Sequence, residues 1–178
     1  MIPVEQALEL LQSQAKPVCE KELVAIAQAL RRTLSSPVIA PINVPPADNS
    51  AMDGYAVRTA DIALNTDYPI SQRIPAGTAP DPLQENTVAR IFTGANIPTG
   101  ADAIIIQEDS ISRNDRVQFT SLANTGENIR LCGQDVKKGS EILSAGTVLR
   151  PQEIGLLASC GIAEVEVYKK LRVAIIST

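Results

Sequence analysis

Histidine is absent from the 178 residues, and so is tryptophan. Without imidazole, Ser-His-Asp and Cys-His catalysis are excluded within this chain. Zinc loses its commonest ligand, and the three cysteines, Cys19, Cys132 and Cys160, are too scattered to make a zinc spacing or a disulfide framework. A metal here would sit on oxygen ligands, which favours Mg²⁺ or Ca²⁺, and acid or base work falls to Asp or Glu. There is no basic excess: 16 Lys and Arg stand against 20 Asp and Glu, a net charge of −4, which argues against nucleic acid as a partner. The longest apolar runs, such as Ala103 to Ile106, are far too short to span a bilayer. No charged start followed by an apolar block opens the chain, so the expected location is the cytoplasm. Aromatics are only 3 %, so the core is built mainly from Ile, Val, Leu and Ala.

What is present is a globular composition, 44 % apolar and 20 % charged. Val4, Ala7, Leu8 and Leu11 recur at helical spacing behind Pro3 and predict a helix over Pro3 to Gln14. Pro17-Val18-Cys19 is expected to be extended. Leu23, Ile26, Ala27, Leu30 and Leu34 predict a second helix over Leu23 to Leu34, with Arg31 and Arg32 complementing its dipole. Four prolines then punctuate an extended connection, Val38 to Val44. From Gly54 the pattern is β, with strands expected at Tyr55–Arg58, Ile70–Ile74, Thr87–Phe92, Ala103–Glu108 and Arg116–Phe119 between turn residues. Short strands so spaced suggest a small barrel or compact sheet. Beyond Gly126 follow an alternating stretch over Ile142 to Leu149 and a helix over Pro151 to Cys160 stopped by Gly161. A strand over Glu164 to Tyr168 and a dense apolar strand over Arg172 to Ile176 complete the chain. The last resembles the first strand of an α/β unit, so the chain is expected to be a fragment of a longer protein.

Three segments offer chemistry. Asp48-Asn49-Ser50, with Asp53-Gly54 close behind, either closes turns on its own backbone or offers oxygens to Mg²⁺ or a polar ligand. Thr93-Gly94-Ala95 is either a plain turn or an anion cradle at a strand end. Arg130 and Asp135 are either a surface ion pair or a phosphate-facing guanidinium beside a carboxylate. No P-loop and no GxGxxG fingerprint is present.

In order, DNSAMDGYAVR at Asp48 to Arg58, RIFTGANIPTGADAIIIQED at Arg90 to Asp109, Asn128-Ile129-Arg130, the Gly133 to Gly139 run and the Gly146 to Gly161 run resemble the molybdopterin molybdenumtransferase family, bacterial relatives of the C-terminal part of gephyrin. The resemblance spans essentially the whole chain. It implies insertion of molybdate into adenylated molybdopterin with release of AMP, a need for Mg²⁺, a homodimer, and molybdopterin adenylyltransferase as a possible partner. It implies an α+β, β-rich fold. Residues 1–45 and 136–170 would form a segmented support domain, 46–135 an inserted small β-barrel-like domain, and 171–178 the start of a molybdopterin-binding α/β domain. Carried over by position, Asp53, Thr93 and Asp135 are catalytic, Asn49, Ser50 and Arg130 bind substrate, and Asp53 and Asp135 hold the metal. Alone, such a fragment is expected to be inactive. The alternatives are a non-catalytic dimerisation or scaffold module and a generic β-barrel binder of anions. The chain departs from the family's usual glycine at Arg31, acid near Pro37, aromatic at Ala47 and basic residues around Leu131 and Cys132.

Overall fold

A computed structural model describes residues 2–16 and 19–175. In chain order the elements are α1 (Val4–Gln14), β1 (Lys21–Ala25), β2 (Val38–Ile39), β3 (Asn49–Ser50), β4 (Gly54–Val57), β5 (Asp67–Ile74), β6 (Val88–Ile91), β7 (Ala103–Ile106), β8 (Ser110–Arg113), β9 (Arg116–Phe119), β10 (Ile129–Arg130), β11 (Glu141–Leu143), α2 (Pro151–Ser159) and β12 (Glu164–Tyr168). The chain divides into two compact units: Met1–Pro41 with Gly139–Thr178, and Ile42–Lys138.

The first unit is drawn from both ends of the chain. Its core gathers Ala29, Leu34, Leu149, Leu157, Val165 and Val167. β1 pairs antiparallel with β12, Lys21 opposite Tyr168 and Ala25 opposite Glu164, and β2 pairs with β11. The helix expected over Leu23 to Leu34 is not formed. β1 and a single 3₁₀ turn, Ile26–Gln28, stand in its place. The apolar residues fit either period, and the alternating Glu164-Val165-Glu166-Val167 supplies a partner edge that outweighs helix propensity. Leu23 is left 63 % exposed, Val165 and Val167 are buried, and the Ile26 N–H goes to the Ala163 carbonyl. Arg32 therefore caps no helix; its guanidinium donates to Glu22 and to the Tyr168 carbonyl. α2 starts at Pro151 and ends before Gly161, whose φ of 73° permits the left-handed cap. Residues 172–175 carry no strand and Ile175 is 93 % exposed, which corrects the expected Arg172–Ile176 strand over those positions. Pro17, Val18 and Ile176 lie outside the described residues.

The second unit is a six-stranded, curled half-barrel sheet in the order β7-β4-β6-β5-β9-β8. Only β5 and β6 run parallel. The Gly-Tyr-Ala-Val of β4 and the Ala-Ile-Ile-Ile of β7 are buried on both faces, so two apolar clusters form. Tyr55, Val57, Tyr68, Val88, Ile105, Val117 and Phe119 make one, and Ala56, Ile74, Leu83, Ala89, Ile91 and Ile104 the other. Tyr55 and Phe119 meet edge to face at 5.7 Å. Ile70 packs on the first cluster and Ile74 on the second, although residues four apart share a face in a regular strand. A register shift between Ile70 and Gln72 reverses the alternation and bends β5. Asn114, with φ 54°, turns β8 into β9.

Candidate functional site

The second unit holds all six residues singled out by the sequence, and the two-residue strand β3 links them. On one side β3 pairs with β10, Asn49 opposite Arg130 and Ser50 opposite Ile129. On the other it meets the Thr93-Gly94-Ala95 loop: Ser50 N–H donates to the Ala95 carbonyl and Gly94 N–H to the Ser50 carbonyl. Segments about 45 and about 80 residues from β3 in sequence thus share one backbone ladder with it.

Asp53 and Thr93 form a clamp. Asp53 Oδ1 accepts from the Thr93 backbone N–H at 2.8 Å and from Thr93 Oγ1 at 2.7 Å. These two donors, the backbone one first, hold the Asp53 carboxyl below the usual carboxylate range, and the nearby Arg90 charge adds to the effect. Gly94, at φ 80°, lets the loop close, with Ala95 N–H returning to the Phe92 carbonyl. Behind Asp53 the backbone is fixed from two sides. Gln107 N–H donates to the Asp53 carbonyl, and Arg90 donates to the Gly54 carbonyl at 2.8 Å. Gly54 must be glycine, because a Cβ there would lie 2.1 Å from the Ile105 carbonyl oxygen.

Arg130 and Asp135 make an ion pair at 2.6 Å with side chains 44 % and 47 % exposed. Such a pair contributes at most about 1 kcal/mol to stability and is free to exchange its partners. Asn49 is buried, and its Oδ1 has no hydrogen-bond partner among the described residues. An amide oxygen buried unpaired costs roughly 1–3 kcal/mol, so this acceptor suits an arriving donor. Ser50 is different. Its fully buried hydroxyl donates to the Met52 carbonyl and accepts from Met52 N–H, closing the turn that precedes Asp53. It shapes the loop, and its hydroxyl is not presented to a ligand.

One oxygen each of Asp53 and Asp135 is unused by these contacts. The described residues contain no cluster of three or more Cys, Asp or Glu that could hold a metal. Any cation would therefore be held by one or two carboxylates and complete its shell from water or substrate, as Mg²⁺ does. Asp48, named in the first segment as a turn former or an oxygen donor, instead accepts the Cys132 N–H on its Oδ1 at 2.7 Å and ties the first motif to the third, a contact sequence reasoning missed. Sequence reasoning also missed Arg90 and Gln107, although both lie inside the second motif.

The chain matches the family described as the MoeA N-terminal region (domain I and II) over residues 2–161. It belongs to that family. Among curated relatives it is 39 % identical to a molybdopterin molybdenumtransferase of Haemophilus influenzae, over 100 % of this chain and 45 % of the relative. It is 41 % identical to molybdopterin molybdenumtransferase 2 of Mycobacterium tuberculosis, over 90 % of this chain and 41 % of the relative. The chain thus spans less than half the length of these MoeA-type relatives. The crystal structure of a molybdopterin biosynthesis moeA protein from Pyrococcus horikoshii OT3 superimposes with a TM-score of 0.82 at 33 % identity, covering 94 % of this chain and 46 % of that one. No helix among the described residues is long and apolar enough to cross a membrane.

Proposed function

We propose that this chain is the first part of a molybdopterin molybdenumtransferase, which inserts molybdate into adenylated molybdopterin and releases AMP. The observation that carries the proposal is the Asp53–Thr93 clamp, joined through β3 to the Arg130–Asp135 pair in a member of the MoeA N-terminal family. In this proposal Asp53, kept ionised, and Asp135 face the polar end of the substrates, and Mg²⁺ held by them supplies charge neutralisation at phosphate or molybdate oxygens. Thr93 fixes the Asp53 carboxylate and orients an oxygen. Arg130 exchanges Asp135 for an anionic substrate group, and Asn49 Oδ1 accepts a substrate donor.

The unit built from both chain ends serves as the support domain, the Ile42–Lys138 unit carries the site, and residues 171–178 open a further α/β domain that completes it. The protein acts as a cytoplasmic homodimer, with molybdopterin adenylyltransferase supplying its substrate. Val4, Leu8 and Leu11 on α1, a helix with no buried residue, favour such self-association.

The test is Asp53→Asn in the intact enzyme. Loss of AMP release with an unchanged thermal transition supports the proposal, and retained cofactor insertion overturns it in favour of a dimerisation or scaffold module. This chain as sole protein is expected to release no AMP from adenylated molybdopterin and molybdate.

A further inference from the structure

Arg73 and Arg90 are direct neighbours on the parallel strands β5 and β6, and Tyr55 stands opposite Arg90 on β4. Like charges directly opposite repel, and no carboxylate separates them. Neither arginine belongs to an ion pair among the described residues. Both guanidiniums lie over the same Phe92 ring, each 4.6 Å from its centroid, and Arg90 is also 5.2 Å from the Tyr55 centroid. Arg90 is held by the Gly54 carbonyl and Gln107 Oε1, whereas Arg73 has no hydrogen bond among the described residues. The ring faces hold the two cations side by side without neutralising them.

Tyr55, Arg73 and Arg90 line a cavity of about 300 Å³ together with Ile70 and with Ser112, Asn114 and Asp115 of the β8–β9 hairpin. Tyr55 is only 4 % exposed as a residue, and its hydroxyl, which keeps access to solvent, makes no hydrogen bond among the described residues. The cavity therefore combines two guanidiniums outside any ion pair, a hydroxyl free to donate, neutral polar side chains and one carboxylate.

We infer that this cavity binds a phosphate group that still carries a proton. Arg73, Arg90 and the Tyr55 hydroxyl donate to its oxygens, and the Asp115 carboxylate accepts its O–H. Near neutral pH inorganic phosphate retains such a proton and sulfate does not. A carboxylate beside the arginines therefore repels sulfate and is paired by hydrogen phosphate, which makes Asp115 the specificity determinant. The inference uses none of the six residues assigned to the Asp53 site, and Arg73 and Asp115, which carry its test, do not touch that site; Arg90 alone is shared, through its charge beside Asp53.

The test is an NMR titration of this chain with inorganic phosphate at constant ionic strength, with sulfate and AMP as parallel arms, at about pH 5.5, below the second pKa of a phosphomonoester at about 6, so that AMP also keeps a proton. The expected result is saturable shifts at residues 73, 90 and 112–115 with phosphate binding tighter than sulfate. Tighter binding of AMP identifies the source as a phosphomonoester, and tighter binding of inorganic phosphate identifies the free ion. Arg73→Gln, which removes only an exposed ring-stacked charge, should weaken phosphate by roughly tenfold, the value of one charge-assisted bond. Asp115→Asn should abolish the preference over sulfate, and it reads the same site should Arg73→Gln fold poorly. Shifts that never saturate, phosphate no tighter than sulfate, or affinity unmoved by either substitution would overturn the inference.

Discussion

At the residue scale, Gly54 and Arg31 make opposite demands on the backbone. Gly54→Ala pushes a methyl group against the Ile105 carbonyl of a paired strand, where neither backbone can yield cheaply. Its expected cost is about 3 kcal/mol or more, read as a lower denaturation midpoint at unchanged slope. Arg31 sits at φ 62°, in the left-handed region, with its N–H bonded to the Leu149 carbonyl. That conformation accounts for the family's usual glycine there. Arg31→Gly is expected to stabilise the chain by about 1 kcal/mol, because relief of the left-handed strain outweighs the added freedom of the unfolded chain. Asp53 gives a pH prediction. Its folded carboxyl is depressed by Thr93, so the clamp is fully present above the unfolded carboxylate range and is lost as pH falls through the folded value. The Thr93 amide proton should report a transition below that of an ordinary aspartate, and Thr93→Val, which keeps the amide but removes the hydroxyl, should move it part of the way back up.

At the element scale, α2 depends on its first turn. Arg150 N–H donates to Glu153 Oε2, and the two side chains pair, leaving Glu153 nearly buried with a pKa of about 2. The depressed value means this cap persists through mild acid and is lost only as pH falls toward about 2. Glu153→Ala should cost about 1 kcal/mol and show first in the amides of residues 150–154, measured by hydrogen exchange. This helix was legible from Pro151 and Gly161, as was β12 from strict alternation, because each signal is local. β1 was not. Leu23 to Leu34 satisfies a helical stripe, and only the β12 edge, some 140 residues away in sequence, decides for a strand. The candidate site shows the same limit. The motifs named Asp53, Thr93, Arg130 and Asp135, while the strand that links them, β3, is two residues long and too short for any periodic signal. Asp48 and Arg90 act through backbone groups of distant segments, which composition and spacing do not encode.

At the scale of the whole molecule, each unit has its own apolar cluster. Phe119→Ala removes the ring that packs on both Tyr55 and Tyr68 and is expected to cost about 3–5 kcal/mol within the Ile42–Lys138 unit. Amides of β4, β7 and β9 should lose protection well before those of β1 and β12. The split composition of the first unit also sets an order of events during synthesis. Lys21 pairs with Tyr168, so that unit has no closed sheet until β12 has been made. All strand pairings of the second unit lie between Ile42 and Lys138, so it can fold while the rest of the chain is still being translated. The nascent β1 edge must then wait unpaired while some 140 residues are added, which leaves it open to wrong partners for longer than any strand of the second unit.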